Sequence, residues 1–345
     1  MTTAVVLYNL GGPDKPEDIR PFLFNLFNDP MILGLPQPFR WLLAQLISRR
    51  RASTAGEIYA HLGGGSPLLK NTRAQADALE TALNAGGDET YKCFVAMRYW
   101  HPFCLETLDD VLAHQPDRIV LLPLYPQFST TTVGSMMRVW EQAAKTRDLT
   151  IPVTALCCYP TEPGFVSAVA ASVTNAIAVL PAGEPFRVLF SAHGLPKKIV
   201  DAGDPYQWQV EQTTKAVVAM LDRDFDWINC YQSRVGPLEW IGPATEDEIK
   251  RAGAEGKNLV VVPIAFVSEH SETLVELDIE YREIADHAGV PNYLRTPTVG
   301  VDAFFIDCLA RLVRDNVAGG CALCSHTGER ICGADWSQCP MSAAA

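Results

Sequence analysis

Basic residues and long apolar runs are both scarce in this chain. Its 345 residues include 28 Lys and Arg against 40 Asp and Glu, which gives a formal net charge of −12. A nucleic-acid-binding surface needs a basic face, and this charge balance argues against one. The longest apolar stretch, residues 259–267, falls well short of the roughly 18 residues that a membrane-spanning helix needs. We therefore expect neither a nucleic-acid partner nor a transmembrane segment.

Two glycine-rich stretches lack the residues that phosphate-binding loops require. GGP at 11–13 and GGGSP at 63–67 are not followed by Lys-Ser/Thr, and neither forms Gly-x-Gly-x-x-Gly at the start of a helix. No Gly-x-Ser-x-Gly sequence is present, which argues against a serine hydrolase. We interpret these glycines as residues that permit tight turns and the close approach of a flat ligand.

Short apolar runs bounded by turn residues alternate with helical patterns, which is typical of parallel βαβ units. Eight strands are predicted, four in each half of the chain, at residues 4–10, 91–99, 118–126, 153–159, 186–194, 226–234, 258–266 and 292–298. This pattern predicts an α/β fold with two similar Rossmann-like, doubly wound domains. Each is expected to hold a four-stranded parallel sheet flanked by helices. The predicted domains are 1–158 and 159–317, followed by a cysteine-rich tail at 318–345.

Residues 22–52, called the lip below, depart from the βαβ pattern. The lip is rich in Phe, Leu, Ile and Trp, is interrupted by Pro30, Pro36 and Pro38, and ends with Arg49–Arg51. One interpretation is a helical hairpin packed on the core. The other is an exposed apolar surface with a basic collar, which contacts anionic lipid headgroups or admits an apolar ligand.

Titratable residues follow several of the predicted strands. Ligands of open α/β sheets bind beyond the carboxyl ends of the strands, so these residues are candidates for a site. His193 ends one strand, and an imidazole has an ordinary pKa of about 6.5, suited to accepting protons. Glu269, Glu272 and Glu276 follow another strand and are expected to face it. One base and several carboxylates suit proton abstraction coupled to the handling of a cation. The alternative for the carboxylates is a solvated helix face.

Seven motifs occur in order along the chain: NLGGP at 9–13, GGGSP at 63–67, MRYWHP at 97–102, LYPQFSTTTVGS at 124–135, SAHGLP at 191–196, YQSRVGPLEWIGPATEDEI at 231–249 and AFVSEHSETLVELDIEY at 265–281. Together they resemble the ferrochelatase family, whose members insert ferrous iron into a porphyrin to make haem. The motifs extend over nearly the whole chain, and their length and order make the resemblance specific.

The resemblance implies roles for individual residues. His193, in the Ser-Ala-His motif, corresponds to the metal-site and proton-accepting residue, and Glu272 to the carboxylate that completes the iron site. Glu269 is implied as a further catalytic residue and Glu276 as a further acidic residue for iron. The residues implied to contact the macrocycle are Leu10, Arg98, Tyr99, Tyr125, Tyr231, Trp240 and Phe266. Many family members carry methionine where this chain has Leu10.

The tail contains four cysteines, Cys321, Cys324, Cys332 and Cys339. Such a density in a protein of cytosolic type favours zinc or an iron–sulfur cluster over disulfides. The resemblance implies a 2Fe–2S cluster, because some ferrochelatases bind one through three C-terminal cysteines and one internal cysteine. The internal position of the animal enzymes falls on Thr130 here, so Cys158 or its neighbour Cys157 is predicted as the internal ligand. A zinc site of four cysteines is the alternative.

The resemblance implies a cytoplasmic enzyme, peripherally associated with the inner face of the cytoplasmic membrane. It would convert protoporphyrin IX and ferrous iron to protohaem with release of two protons, and transient haem-pathway or iron-donor proteins are possible partners. Two alternatives stay open: coproporphyrin as the substrate, or a non-catalytic haem or iron–sulfur binding protein on the same fold. The apolar lip favours the less polar protoporphyrin.

Overall fold

Parallel strands form two sheets in the computed structural model, which describes residues 1–86, 89–234 and 236–341. The strands are β1 Thr2–Asn9, β2 Thr90–Met97, β3 Arg118–Pro123, β4 Val153–Cys158, β5 Phe186–His193, β6 Asp226–Gln232, β7 Asn258–Pro263, β8 Tyr293–Arg295 and β9 Leu323–Ser325. The first sheet has the order β2-β1-β3-β4-β9 and the second β6-β5-β7-β8. The predicted α/β fold with two parallel sheets is confirmed.

Helices connect the strands, as parallel pairing requires. They are α1 Ile19–Phe27, α2 Phe39–Ala60, α3 Leu68–Asn84, α4 Cys104–His114, α5 Val133–Thr146, α6 Pro163–Ala178, α7 Lys197–Asp201, α8 Tyr206–Leu221, α9 Thr245–Ala254, α10 Tyr281–Ala288 and α11 Ala303–Gly319, with a π-helix at Glu272–Glu280 before α10. None of the helices in the described part of the chain is long and apolar enough to cross a membrane.

The first sheet has five strands, and the sequence-based expectation of four was wrong. The additional strand β9 comes from the cysteine-rich tail, where no regular structure was expected, and pairs with Ala155, Leu156 and Cys158 of β4. A three-residue strand shows little pattern of its own. The equally short β8 could be predicted from its place in the alternation of strands and helices, whereas β9 lies beyond that alternation, in the tail. Its pairing covers the edge of β4 that would otherwise present unpaired backbone groups.

Contacts divide the chain into two units. The first contains residues 1–158 and 309–331, and the second contains residues 159–308 and 332–341. The predicted domain limits at 158 and 317 stay a prediction. The last four residues of the predicted tail, 342–345, lie outside the described residues.

In each sheet an inner strand, β1 or β5, carries buried core residues and delivers a polar residue to its carboxyl end. In β1, Ala4, Val5, Val6 and Leu7 are fully buried, which is typical of a parallel strand covered on both faces. The same holds for Val188, Leu189 and Phe190 of β5. The apolar run of β1 ends at Asn9 and that of β5 at His193, so chemistry-bearing side chains begin where the core ends.

In the second unit, the end of the tail packs against the turn before α8. Gly203 has φ +99°, and a Cβ there would lie 2.4 Å from Ser337 Oγ and 3.0 Å from Ser337 N. The Gly203 carbonyl accepts a hydrogen bond from the Gln338 amide at 3.1 Å. Gln209 Nε2 donates to Cys332 Sγ at 3.2 Å. A glycine is required at residue 203 both for its backbone conformation and for this close approach.

Replacing Gly203 with valine is expected to release this end of the tail, because the new side chain would overlap Ser337. The buried thiols of Cys332 and Cys339 should then react with a thiol reagent at least about tenfold faster, as expected for local opening. Gly183→Val is the matched control, since Gly183 has φ +81° but no atom within 4 Å of its Cβ position. Equal thiol reactivity in the two variants would contradict the prediction.

Candidate active site

His193, at the end of β5, has one ring nitrogen whose lone pair is available to a substrate. Its Nδ1 lies 2.6 Å from the Gly194 carbonyl oxygen, which can only accept a hydrogen bond. Nδ1 therefore carries the proton in the neutral ring, and Nε2 is left as the basic nitrogen. Nε2 lies 3.7 Å from Glu272 Oε1, and the side chain is 39% exposed. The imidazole is thus oriented as a base or metal ligand that a substrate can reach.

Gly194 explains why a glycine follows this histidine. A Cβ at Gly194 would lie 2.9 Å from the Gln232 carbonyl oxygen and 3.2 Å from the Trp240 ring. The Gly194 amide donates to the same Gln232 carbonyl at 2.8 Å. This close approach ties the end of β5 to the end of β6 and fixes the backbone that carries His193.

His270 is a member of this constellation that the sequence-based site did not include. Its Nδ1 donates to the Ser268 carbonyl oxygen at 3.1 Å, which leaves its Nε2 facing Glu272 Oε2 at 3.8 Å. Glu272 therefore has an imidazole nitrogen near each of its carboxylate oxygens. The available sequence signal was the position of His270 at the carboxyl end of a strand, two residues before Glu272.

The Glu272 carboxylate is charged at neutral pH. Burial opposes its charged form, but attraction by His193 and by His270 outweighs that effect and lowers the pKa of Glu272 to about 2. Its Oε2 accepts no hydrogen bond of normal length in the described part of the chain. A charged carboxylate with an unused oxygen, placed between two imidazole nitrogens, is suited to receive a cation.

Glu272 begins the π-helix, where the sequence predicted an ordinary helix. The backbone amide of Tyr281 donates to the carbonyl of Glu276, five residues earlier, which is the hydrogen-bond spacing of a π-helix. Such helices are rare, occur mostly as single-turn bulges inside α-helices, and are frequent at functional sites. The carboxylates at 272, 276 and 280 therefore belong to an unusual backbone rather than to a regular α-helical face.

The carboxylate of Glu276 accepts four hydrogen bonds from groups of the protein. Its carboxylate accepts hydrogen bonds from Gln232 Nε2 at 3.1 Å, Ser233 N at 2.8 Å, Ser233 Oγ at 2.5 Å and Tyr281 Oη at 3.0 Å. Burial raises its pKa, and repulsion by Glu272 adds to this effect. The contacts hold Ser233 at φ +60°, an uncommon conformation for a residue with a side chain. Iron binding by Glu276 stays a prediction.

Glu269 pairs with an arginine. Its Oε1 lies 2.6 Å from Arg295 Nη1 and accepts the backbone amide of Thr298 at 3.0 Å. Arg295 also binds Asp278, and its side chain is only 8% exposed. These contacts give Glu269 a charge partner that orients the loop after β7. Its catalytic role stays a prediction.

Three predicted porphyrin-contacting residues lie in the second unit. Tyr231 is buried near the end of β6, and the Phe266 ring lies 4.7 Å from the His270 ring between centroids. Trp240 packs beside Gly194, and its buried Nε1 has no hydrogen-bond acceptor among the described residues. The structure thus brings Phe266 and Trp240 next to the histidines of this site.

The other four predicted porphyrin-contacting residues follow the strands of the first sheet. Backbone amides of Arg98 and Tyr99 donate to the carbonyls of Asn9 and Leu10, each at 2.9 Å, so pairing of β2 with β1 continues past both strands. Leu10, Arg98 and Tyr99 are thereby brought together. Tyr125 lies two residues beyond β3 and is partly buried.

The lip has a packed inner side and an exposed apolar side. Phe22 and Leu23, on its inner side, pack in a buried cluster with Tyr99 and Trp100. On α2, by contrast, large apolar side chains are exposed: Phe39 by 65%, Trp41 by 45%, Leu42 by 56% and Leu46 by 44%. The three arginines that follow are also exposed. An apolar surface next to a basic collar is therefore present, and its binding partner stays a prediction.

Among the cysteines predicted to bind a cluster, Cys321 is partly buried and the others are buried. Cys157 Sγ and Cys158 Sγ lie 3.3 Å apart, and Cys324 Sγ accepts a hydrogen bond from Asn316 Nδ2 at 3.1 Å. Burial raises the pKa of Cys324 to about 11, so its thiol is protonated at neutral pH. Across residues 1–86, 89–234 and 236–341, no three His, Cys, Asp or Glu side chains are grouped to hold a metal ion. The 2Fe–2S cluster therefore stays a prediction.

A family model described as Ferrochelatase matches residues 2–317 of this chain. Among curated relatives, a ferrochelatase of Caulobacter vibrioides (strain NA1000 / CB15N) is 54% identical over 339 residues, covering 98% of this chain and 96% of the relative. A ferrochelatase of Pelagibacter ubique (strain HTCC1062) is 52% identical over 315 residues, covering 91% of both chains.

Solved structures match the fold at much lower identity. SirB from Bacillus subtilis with Fe3+ has a TM-score of 0.58 and 12% identity, covering 93% of this chain and 97% of SirB. A second match is the sirohydrochlorin chelatase SirB from Bacillus subtilis subspecies spizizenii in complex with cobalt. It has a TM-score of 0.53 and 11% identity, and the match covers 92% of this chain and 97% of the SirB chain. At such identities the likeness shows a shared fold alone.

Proposed function

The chain belongs to the ferrochelatase family and inserts ferrous iron into a porphyrin, and we propose that His193 and Glu272 carry this reaction. The observation that supports these roles is the 3.7 Å approach of His193 Nε2 to Glu272 Oε1. This contact pairs the basic ring nitrogen of His193 with a carboxylate that stays charged. The other ring nitrogen of His193 already contacts the Gly194 carbonyl oxygen.

Iron insertion requires two pyrrole protons to leave the macrocycle while a divalent cation enters. In the proposed mechanism, His193 Nε2 accepts a proton from the ring. The charge of Glu272 stabilises the imidazolium that forms, as a carboxylate does beside a catalytic histidine. Both protons finally reach solvent, so the product is a neutral iron–porphyrin core.

Glu272 is also proposed to attract the incoming ferrous iron. Its unused Oε2 and the neutral imidazole nitrogen are ligand types that bind divalent iron. An open pair of donors suits an iron ion that is substrate and must be transferred, since a closed site would hold it. His270, on the other side of Glu272, is proposed to orient that carboxylate.

We propose that the porphyrin is protoporphyrin IX and the product protohaem. Support comes from the exposed apolar side chains of the lip, which suit a substrate with few charged groups. Coproporphyrin, which carries more carboxylates, is the alternative. Steady-state assays with both porphyrins should give the higher kcat/KM for protoporphyrin IX, and faster turnover of coproporphyrin would refute the proposal.

We also propose that cysteines of the tail bind a 2Fe–2S cluster, with ligands drawn from Cys158, Cys321, Cys324, Cys332 and Cys339. The amide hydrogen bonds to Cys324 Sγ and Cys332 Sγ support this, since such bonds are common around cluster sulfurs. The ligand thiols would lose their protons on binding. Visible absorption with stoichiometric iron and sulfide should be found in purified protein. A colourless protein that contains zinc would exclude the cluster.

We propose that the lip binds the cytoplasmic membrane from its inner face, as a peripheral contact. The exposed apolar residues of α2 and the arginines at 49–51 support this, because one kind enters the lipid interface and the other pairs with anionic headgroups. At low salt the protein should be retained in the pellet when vesicles that contain anionic lipid are sedimented. Trp41→Ser with Leu42→Ser should abolish retention, and unchanged retention would refute the proposal.

A further inference from the structure

Asp29, in the lip two residues after the end of α1, is a buried carboxylate on which several side chains converge. It is only 2% exposed. Its Oδ2 accepts hydrogen bonds from Arg98 Nη2 and Tyr99 Oη, each at 2.7 Å, and from Ser135 Oγ at 2.5 Å. Its Oδ1 accepts the backbone amide of Met31 at 2.8 Å. One carboxylate therefore holds the two side chains that follow β2.

The contacts close into a ring that leaves Arg98 little freedom. Arg98 Nε donates to Ser135 Oγ at 2.7 Å, and Ser135 in turn donates to Asp29. The guanidinium carbon also lies 4.6 Å from the centre of the Tyr99 ring. Arg98 thus has hydrogen bonds on two of its nitrogens and an aromatic ring on one face, which defines a single orientation.

We propose that Asp29 is a positioning residue for porphyrin binding, acting through Arg98 and Tyr99. This inference rests on the proposed function, which assigns those two residues to the macrocycle. Arg98 and Asp29 also line a cavity of about 380 Å³ in the first unit. Asp29 belongs to the lip, so the position of the lip sets the orientation of both residues.

The charge balance of the network explains why a carboxylate is needed at residue 29. The Arg98 side chain is 15% exposed and that of Asp29 1%, so the pair is largely shielded from water and salt. Removing the carboxylate leaves the guanidinium without its partner, and the arginine is then free to turn toward other acceptors. A porphyrin would meet an arginine of uncertain orientation and would bind less tightly.

The test is a double-mutant cycle on steady-state kinetics of the full-length protein. Asp29→Asn is expected to raise the KM for porphyrin by about 10- to 100-fold, the range for a lost hydrogen bond to a charged group, while the KM for iron stays unchanged. In the Arg98→Met background the same change should add less than about twofold, because the larger part of its effect passes through Arg98, the charged partner. Additive effects of the two substitutions would overturn the proposal.

Two further variants keep the test decisive. If Asp29→Asn does not fold, Ser135→Ala removes the bridging hydroxyl without unpairing a charge, and it should raise the KM for porphyrin by about two- to tenfold. Asp109→Asn is the control, because it breaks the exposed Asp109–Arg147 pair of the same unit and should leave the KM for porphyrin unchanged.

The outcomes separate this inference from the proposed function. If Arg98→Met raises the KM for porphyrin and neither Asp29→Asn nor Ser135→Ala does, the positioning role fails alone. If Arg98→Met and Tyr99→Phe both leave that KM unchanged, the assignment of these residues to porphyrin fails, and the role of Asp29 fails with it.

Discussion

Replacing His193 with alanine is expected to lower kcat for iron insertion by about 10²- to 10⁴-fold, the range for loss of a group that transfers protons. The substitution removes the only basic nitrogen that β5 delivers beside Glu272. Porphyrin binding should persist, because the residues proposed to contact the macrocycle are unchanged. Stopped assays with anaerobic ferrous iron would measure the rate, and quenching of porphyrin fluorescence would measure binding.

His287→Ala is the matched control for this prediction. His287 lies on α10, is exposed, and uses its Nδ1 to contact the Glu283 carbonyl at 2.8 Å, so it resembles His193 in local hydrogen bonding but not in its neighbours. Its kcat should equal that of the parent. An alanine variant at 193 that keeps more than about a tenth of the parental kcat would remove this imidazole from proton transfer.

Glu272→Gln is expected to lower kcat by a similar factor and to raise the KM for iron, because it removes the charge that attracts the cation and keeps the shape of the side chain. Two results separate its possible roles. A higher KM for iron with unchanged porphyrin binding indicates iron capture, and a lower kcat with unchanged iron KM indicates proton handling alone. Glu280→Gln, at the exposed end of the same π-helix, is the control and should behave as the parent. Parental values of both constants in Glu272→Gln would contradict the prediction.

The same variant should change how stability depends on pH. The pKa of Glu272 is about 2 in the folded protein and ordinarily 4.5, so the folded state binds this proton less readily than the unfolded state. The resulting stabilisation is complete above about pH 4.5 and is lost as the pH falls toward 2. Thermal unfolding of the parent and of Glu272→Gln between pH 6 and pH 3 should therefore converge as the pH falls. A constant difference would contradict the pKa shift.

Of the nine strands in the described residues, eight could be predicted from apolar runs bounded by turn residues and alternating with helical patterns. Strand β9 could not, since Leu323–Ser325 is stabilised only by pairing with β4, far away in the sequence. The same distinction applies to the site. His193 and Glu272 stand in recognisable motifs at strand ends, and the structure brings them together.

Other features of the site depend on contacts that no local pattern encodes. The Nε2 of His270 faces Glu272 because its Nδ1 donates to the Ser268 carbonyl oxygen, and this hydrogen bond depends on the backbone geometry of the loop. The pairing of Glu269 with Arg295 joins residues 26 positions apart, and Asp29 meets Ser135 across 106 positions. Charges that look alike in a sequence thus acquire different tasks according to the partner that the fold supplies.

The π-helix has a consequence for how this protein can be stabilised. An α-helix is the commoner backbone form, so substitutions or single-residue deletions within Glu272–Glu280 that restore α-helical bonding are candidates for a higher melting temperature. They would also rotate Glu272 relative to Glu276 and so separate the carboxylate from its imidazole neighbours. Selection for thermal stability in this segment should therefore yield robust but inactive variants, and screens should combine the two readouts.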